Sequence, residues 1–178
     1  MTGATGAGKT YVACALAAQA CEQLYSVRYH RLSRLLDDLS SGRFDGTYQK
    51  QLLALSRKQL LLLDDWGMEK LSPDHAGHLL ELLEDRYQSS STIMISQLPV
   101  KEWYNMIGNA TVADALLDRL IHNSHRDRTG RRINEKTGAI RTGKVKIGLE
   151  KREDHRVRIK LEQVSGIAGI RIPVTTLI

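Results

Sequence analysis

Cysteine, proline and aromatic residues are scarce in this chain, and each shortage excludes something. Two cysteines, Cys14 and Cys21, form neither a disulfide framework nor a metal-ligand spacing. A reducing, cytoplasmic setting is therefore expected, and the two thiols, seven positions apart in one helical stretch, are expected to be small buried apolar groups. No basic segment precedes an apolar stretch at the N-terminus, and the leucine run Leu60–Leu63 falls far short of the roughly 20 apolar residues that cross a bilayer. No membrane association is expected. The aromatic residues, six Tyr, two Trp and one Phe, end at Tyr104.

Acidic charge is short in one part of the chain only. The net charge is +6, but residues 1–126 carry 13 Lys/Arg against 14 Asp/Glu, while residues 127–178 carry 13 against 6. A basic balance is commonly a sign of a nucleic-acid partner, and here it belongs to an aromatic-free tail. The boundary is placed near Arg126. At 178 residues the chain is long enough for one domain with a sizeable core.

Before that boundary, apolar spacing alternates between helical and strand periods. Residues 8–24 read as a helix with Val12, Ala15, Leu16, Ala18 and Gln19 on one side, and residues 26–32 read as a strand. Leu32, Leu35, Leu36 and Leu39 return to helical spacing, broken at Gly42 to Gly46. A helix over 48–57 leads to a strand over 59–64, apolar throughout until it ends in two carboxylates, the pattern of a strand buried on both faces. Ser72-Pro73-Asp74 opens a helix that turns Ala76, Leu79, Leu80, Leu82 and Leu83 inward. A strand over 92–96 and a helix over 109–123, with Val112, Ala113, Leu116, Leu117 and Leu120 inward, complete the series. Strands alternating with helices of this length predict an α/β layer fold with a parallel sheet.

Gly3-Ala4-Thr5-Gly6-Ala7-Gly8-Lys9-Thr10 satisfies the pattern G-x-x-x-x-G-K-[ST] and opens directly into a helix. Backbone N–H groups can wrap a phosphate only where side chains do not intrude, and the glycines meet that need. Lys9 would then reach β- and γ-phosphate oxygens, Thr10 would offer its hydroxyl to Mg²⁺, and the helix N-terminus would add its dipole. ATP and Mg²⁺ are thus the expected ligands. Asp64 and Asp65 close the leucine strand at its C-terminal end, where open α/β sheets bind ligands; taken alone they would be a strand end and a helix cap. Beside the glycine loop, Asp64 is expected to hold the Mg²⁺ shell through water and Asp65 to polarise an attacking water. Ser96 and Gln97 end the next strand, either as the start of a turn before Pro99 or as sensors of the γ-phosphate. Arg119 sits on the last helix and is expected to point outward, as a surface charge or a residue free to meet a neighbouring subunit.

These motifs, together with Leu62-Leu63-Asp64-Asp65-Trp66-Gly67, Leu83-Glu84-Asp85-Arg86-Tyr87, Ser96-Gln97-Leu98-Pro99 and the stretch Leu117-Asp118-Arg119-Leu120-Ile121-His122-Asn123-Ser124-His125-Arg126, resemble the IstB family. Those are ATP-binding helpers of insertion-sequence transposition, three-layer P-loop ATPases of the AAA+ type related to the bacterial helicase loader and replication initiator. The resemblance covers residues 1–126. It implies an ATPase that assembles on DNA as an ATP-bound homo-oligomer and delivers target DNA to a cognate transposase. It also implies that Arg119 is an arginine finger for a neighbour's nucleotide. The segment 31–58 matches a helical insertion lining the DNA face, where Arg34, Arg43, Lys50, Arg57 and Lys58 would neutralise phosphates without reading bases.

The chain departs from this family at both ends. Only Met1 and Thr2 precede Gly3, so the strand before the P-loop is expected to be lacking, and the strand of Asp64 to lose a pairing neighbour with it. After Arg126 the family's I-E-L-x-G-E-S-M ending is absent, and with it the last strand. A back-translation of residues 127–136 exists that restores that ending when read one base later, so a frameshift at the codon for Asp127 is expected. As evolved sequence, the tail would be either disordered or short basic β-hairpins, from the alternation of Val145, Ile147 and Leu149 and of Val157, Ile159 and Leu161. A nucleotide-binding module without hydrolysis, or a non-functional remnant of a mobile element, is the rival expectation.

Overall fold

The computed structural model describes residues 1–121 and 124–125, together with the strand backbones at 146–151, 157–162, 170–171 and 176–177. Helix α1 (Lys9–Glu22) follows the glycine loop, and β1 (Val27–Arg31) leads into the helix pair α2 (Leu32–Asp45) and α3 (Tyr48–Ser56). Then come β2 (Leu60–Trp66), α4 (Pro73–Arg86), β3 (Ser91–Ser96), a short turn of helix at Val100–Glu102, α5 (Trp103–Ile107), α6 (Ala110–Ile121) and the two-residue β4 (Ser124–His125). The tail contributes β5 (Lys146–Lys151), β6 (Val157–Glu162), β7 (Ile170–Arg171) and β8 (Thr176–Leu177).

The main sheet is parallel, in the order β1-β2-β3-β8-β4. Strand β2 has every leucine from Leu60 to Leu63 fully buried, since both its faces are covered. Leu60 and Leu62 meet α1 residues Ala13, Leu16 and Ala20 on one side. Leu61 and Leu63 join the larger core on the other, formed by α2 to α6. Each buried leucine side chain contributes about 2 kcal/mol, so this strand anchors both layers.

Several expectations change at this level. The buried stripe of α1 is Ala13, Leu16 and Ala20, one position away from the expected face, and Cys14 and Cys21 are exposed rather than buried. The break expected in α2 over Gly42 to Gly46 falls at its far end. The helix runs to Asp45 and stops at Gly46, whose φ of 78° suits a glycine cap. Gly42 instead permits close packing: a Cβ there would lie 3.0 Å from Tyr48 N. The short helices at 100–107 carry too few residues to show a period and were not expected.

The strand of Asp64 keeps a neighbour on each side, β1 and β3. It is β3 whose outer edge adjoins the chain start: Ser96 N donates to Met1 O at 3.0 Å, and Thr2 bridges Ser96 in parallel. Farther along the same edge, Thr92 and Ile93 pair with Thr176 and Leu177 of β8, and β8 pairs in turn with Ser124 and His125 of β4. Strands β5, β6 and β7 form a separate antiparallel sheet, with Ile147 opposite Leu161 and Leu149 opposite Ile159. The expected frameshift, at 127–136, and Val145 lie outside the described residues.

Arg86 ties these layers together. It lies on the buried side of α4 and donates to the carbonyls of Leu55 at 2.8 Å and Lys58 at 2.7 Å, to Thr92 Oγ1 at 3.1 Å and to Ser91 O. The end of α3, the entry to β2 and the start of β3 therefore hang on one guanidinium, which burial alone lowers to a pKa of about 10.

Candidate functional site

The glycine loop crosses the C-terminal end of the sheet and turns into α1 through two left-handed glycines, Gly6 at φ 76° and Gly8 at φ 77°. A Cβ at either would meet nothing within 4 Å, so these positions border open space. That space is a cavity of about 330 Å³, lined by Thr5, Gly6, Gly8, Lys9, Thr10 and Tyr11 from the loop and α1, by Asp64 and Asp65 from β2, and by Ile95, Ser96 and Gln97 from β3. Three segments distant in sequence thus converge where the strand ends required it.

Lys9 is only 7% exposed. Its ammonium donates to Gly3 O and Ala4 O, each at 2.8 Å, so the loop carbonyls hold the cation in place. Burial lowers its pKa, against the opposing pull of Asp64 and Asp65. Ala7 belongs to the turn of the loop, its N–H donating to Ala4 O at 3.2 Å. Thr10 Oγ1 donates to Asp64 Oδ2 at 2.9 Å, and Tyr29 Oη donates to the same oxygen at 3.0 Å. Asp64 is 4% exposed.

Successive strand residues point to opposite faces, so a regular strand could not present both Asp64 and Asp65 to one cavity. The pairing explains how β2 does so. Leu63 sits opposite Met94 and Trp66 opposite Ser96, which gives β2 one more residue than β3 over the same span, a bulge. Asp65 occupies it at φ 64°, with its N–H donating to Asp64 Oδ1 at 2.8 Å. Left-handed backbone is rare outside glycine and more tolerable for Asp than for a branched residue. Arg31 Nε lies 3.5 Å from Asp65 Oδ2. The extra residue also returns Trp66 to the larger core, where its ring packs at 5.1 Å from that of Trp103.

The β3 end is more mixed. Ser96 lines the cavity, but its hydroxyl donates to Trp66 O at 2.8 Å and accepts from Leu98 N at 3.0 Å, as the start of a turn would. Gln97 is exposed and bonds across the mouth to Thr5 Oγ1 at 2.6 Å. Arg119 lies elsewhere, in a small cleft with Leu83, Arg86 and Tyr87. It is not free as expected: its guanidinium is 2.9 Å from Glu84 Oε1 and donates to Ala115 O at 3.0 Å, since α6 packs along α4. Among the basic residues of α2 and α3, Arg34, Lys50 and Arg57 are exposed and Lys58 is half-buried. Arg43 is drawn to Glu81 at 3.5 Å and stacks 3.9 Å over the Tyr48 ring.

The sequence reading missed Tyr11, Tyr29 and Arg31. Tyr11 is signalled by its place directly after Thr10; it is 68% exposed at the cavity wall. Tyr29 and Arg31 share a strand face with Val27, and their register against Leu62 and Asp64 puts that face beside the acidic pair. Among the described residues no group of three or more His, Cys, Asp or Glu is arranged to hold a metal ion, and no helix is long and apolar enough to cross a membrane.

Comparison with known proteins agrees with this geometry. The sequence is 52% identical over 124 residues to the insertion sequence ATP-binding protein y4pL of Sinorhizobium fredii, covering 70% of this chain and 51% of that protein. It is 33% identical over 124 residues to the insertion sequence IS21 ATP-binding protein of Pseudomonas aeruginosa, covering 70% and 47%. The chain therefore spans about half the length of the curated relatives it matches. Its fold is that of the DnaC helicase loader, with a TM-score of 0.56 at 22% identity over 66% of this chain and 72% of that one. The same holds for AMPPCP-bound DnaA from Aquifex aeolicus, with a TM-score of 0.58 at 19% identity over 64% and 36%. This is the α/β P-loop fold of AAA+ proteins, as expected. The profile of the IstB-like ATP binding protein family matches residues 1–136, beyond the boundary drawn at Arg126. With the glycine loop, the acidic pair and that match in agreement, the chain belongs to the IstB-like ATP-binding protein family.

Proposed function

We propose that the cavity binds ATP with Mg²⁺ and that the chain acts as a DNA-associated helper ATPase of an insertion sequence, coupling hydrolysis to delivery of target DNA to a transposase. The observation that carries this reading is the convergence of Lys9, Thr10, Asp64 and Asp65 on one glycine-lined cavity. Open loop glycines give phosphate oxygens access to backbone N–H groups, and Lys9 exchanges its two loop carbonyls for β- and γ-phosphate oxygens. A hydroxyl and carboxylate oxygens form a hard donor set, and the lack of a larger ligand cluster among the described residues suits Mg²⁺, which keeps much of its water. Bound there, Mg²⁺ would neutralise charge building on the phosphates. Asp65 accepts a hydrogen bond from the water that attacks the γ-phosphorus, and Gln97 exchanges Thr5 for the γ-phosphate. Arg119 leaves Glu84 to serve a neighbour's nucleotide in an ATP-dependent homo-oligomer. Arg34, Lys50, Arg57 and Lys58, with Arg43 more weakly, neutralise DNA phosphates without sequence preference.

Titration with a fluorescent ATP analogue tests the binding step. Lys9→Ala removes a charge-assisted bond of about 1.5–3 kcal/mol, so its Kd should rise roughly 10- to 150-fold; equal affinities would refute the site. Phosphate release with and without DNA tests turnover. Wild-type release no faster than that of Lys9→Ala would exclude the enzyme and leave the second reading, nucleotide binding without hydrolysis, which the Arg119–Glu84 pairing favours.

A further inference from the structure

We propose that Tyr29 is a positioning residue that fixes Asp64 for the metal shell of the bound nucleotide, a role that rests on the ATP·Mg²⁺ reading of the cavity. A carboxylate on a strand end can rotate about its last bond, and water-mediated metal binding is weakened when it does. Asp64 is held at both oxygens. Oδ1 accepts the Asp65 N–H at 2.8 Å, while Oδ2 accepts Thr10 Oγ1 at 2.9 Å and Tyr29 Oη at 3.0 Å. Of these three donors, one lies in the P-loop sequence and one in the bulge. Thr10 must turn its oxygen toward the cation, and Asp65 sits in left-handed backbone. Tyr29 comes from outside the loop, on β1, and is not among the residues that line the cavity.

Its reach follows from register. Tyr29 pairs with Leu62, whose side chain faces α1, and Asp64 is the next residue of β2 on that face. A tyrosine spans the diagonal between such neighbours, whereas a shorter polar side chain would not. A phenol O–H facing a carboxylate oxygen 3.0 Å away can only donate to it. Two positions on, Arg31 faces Asp65 in a more solvated ion pair at 3.5 Å. The end of β1 thus braces both carboxylates.

The test is a Mg²⁺ titration of fluorescent ATP-analogue binding by the full chain, wild type beside Tyr29→Phe. Groups that orient a metal-binding side chain typically contribute about 10- to 100-fold in metal affinity. The half-saturating Mg²⁺ concentration of Tyr29→Phe should rise about tenfold, with affinity in EDTA unchanged. In an Asp64→Asn background the same substitution should add nothing, because the bond it removes ends on Asp64. Coincident Mg²⁺ curves alongside normal nucleotide affinity would overturn the Tyr29 role alone. So would an equal penalty in the Asp64→Asn background, which would mark a general structural defect. Failure of the wild type to bind the analogue with Mg²⁺ present would overturn the cavity assignment itself, and the Tyr29 role with it.

Discussion

Replacing Arg86 with methionine should cost this fold more than any exposed charge reversal. The side chain is 2% exposed and has no ion-pair partner among the described residues. Its fork serves five acceptors: the carbonyls of Leu55, Ser56, Lys58 and Ser91 and the hydroxyl of Thr92. Methionine fills a similar volume and donates to none of them, although Leu55 O keeps the N–H of Lys58 at 3.2 Å. At about 2 kcal/mol for each of the other four acceptors the loss is roughly 8 kcal/mol. Burying the cation is itself unfavourable: its pKa is lowered to about 10, and methionine recovers about 3 kcal/mol of that cost. The net loss of about 5 kcal/mol lies near the top of the range for breaking a buried charged contact. For a chain of this size it should lower the thermal midpoint by roughly 10–20 °C, read by circular dichroism. Arg86→Lys keeps the charge but cannot span α3 and β3 at once, so it should fall between. A methionine variant within 1 kcal/mol of wild type, or a lysine variant indistinguishable from it, would refute the bracing role.

Three further outcomes follow. At position 65, where φ is 64°, Asp65→Asn should leave stability nearly unchanged, whereas Asp65→Val should lose about 1–3 kcal/mol in chemical denaturation because a branched residue is strained there; equal stability would argue against the bulge geometry. Glu84→Ala should cost less than about 1 kcal/mol, since the ion pair is partly solvated, yet it frees Arg119; DNA-stimulated phosphate release unaltered by that release would count against the finger assignment. Lys9 holds its proton less tightly than an ordinary lysine of pKa 10.5 because it is buried, so ATP affinity should begin to fall with rising pH before that value. Lys9→Arg should lose that alkaline limb; a wild-type profile flat through pH 10.5 would contradict it.

Local pattern was enough to find the element order, because each element has a strong period of its own. The run Leu60–Leu63 announced a strand covered on both sides, and Ser72 caps α4 as read, accepting from His75 N at 3.2 Å. The glycine loop and acidic pair were legible because phosphate chemistry narrows which residues can stand there. What was not legible depended on packing between elements. Gly42 stays inside α2, with only Gly46 ending it, because Tyr48 and Gln51 crowd the position, and the cysteines of α1 read as buried because a short alanine-rich helix has no sharp face. The neighbour of the Asp64 strand was misjudged because strand order is not written in any one strand. Tyr29 and Arg86 act across gaps of 35 and about 30 residues respectively, which no local spacing encodes.

The bulge in β2 makes Asp65 surplus to the sheet. With that residue removed, Leu63, Asp64 and Trp66 would fall in step with Met94, Ile95 and Ser96, and Trp66 would keep its place in the larger core. The architecture is therefore complete without the residue nearest the proposed chemistry, which has been spliced into the strand as a passenger. Excising it should yield a chain that folds and keeps its glycine loop, having lost one carboxylate together with the N–H that holds Asp64 Oδ1 and the ion pair with Arg31.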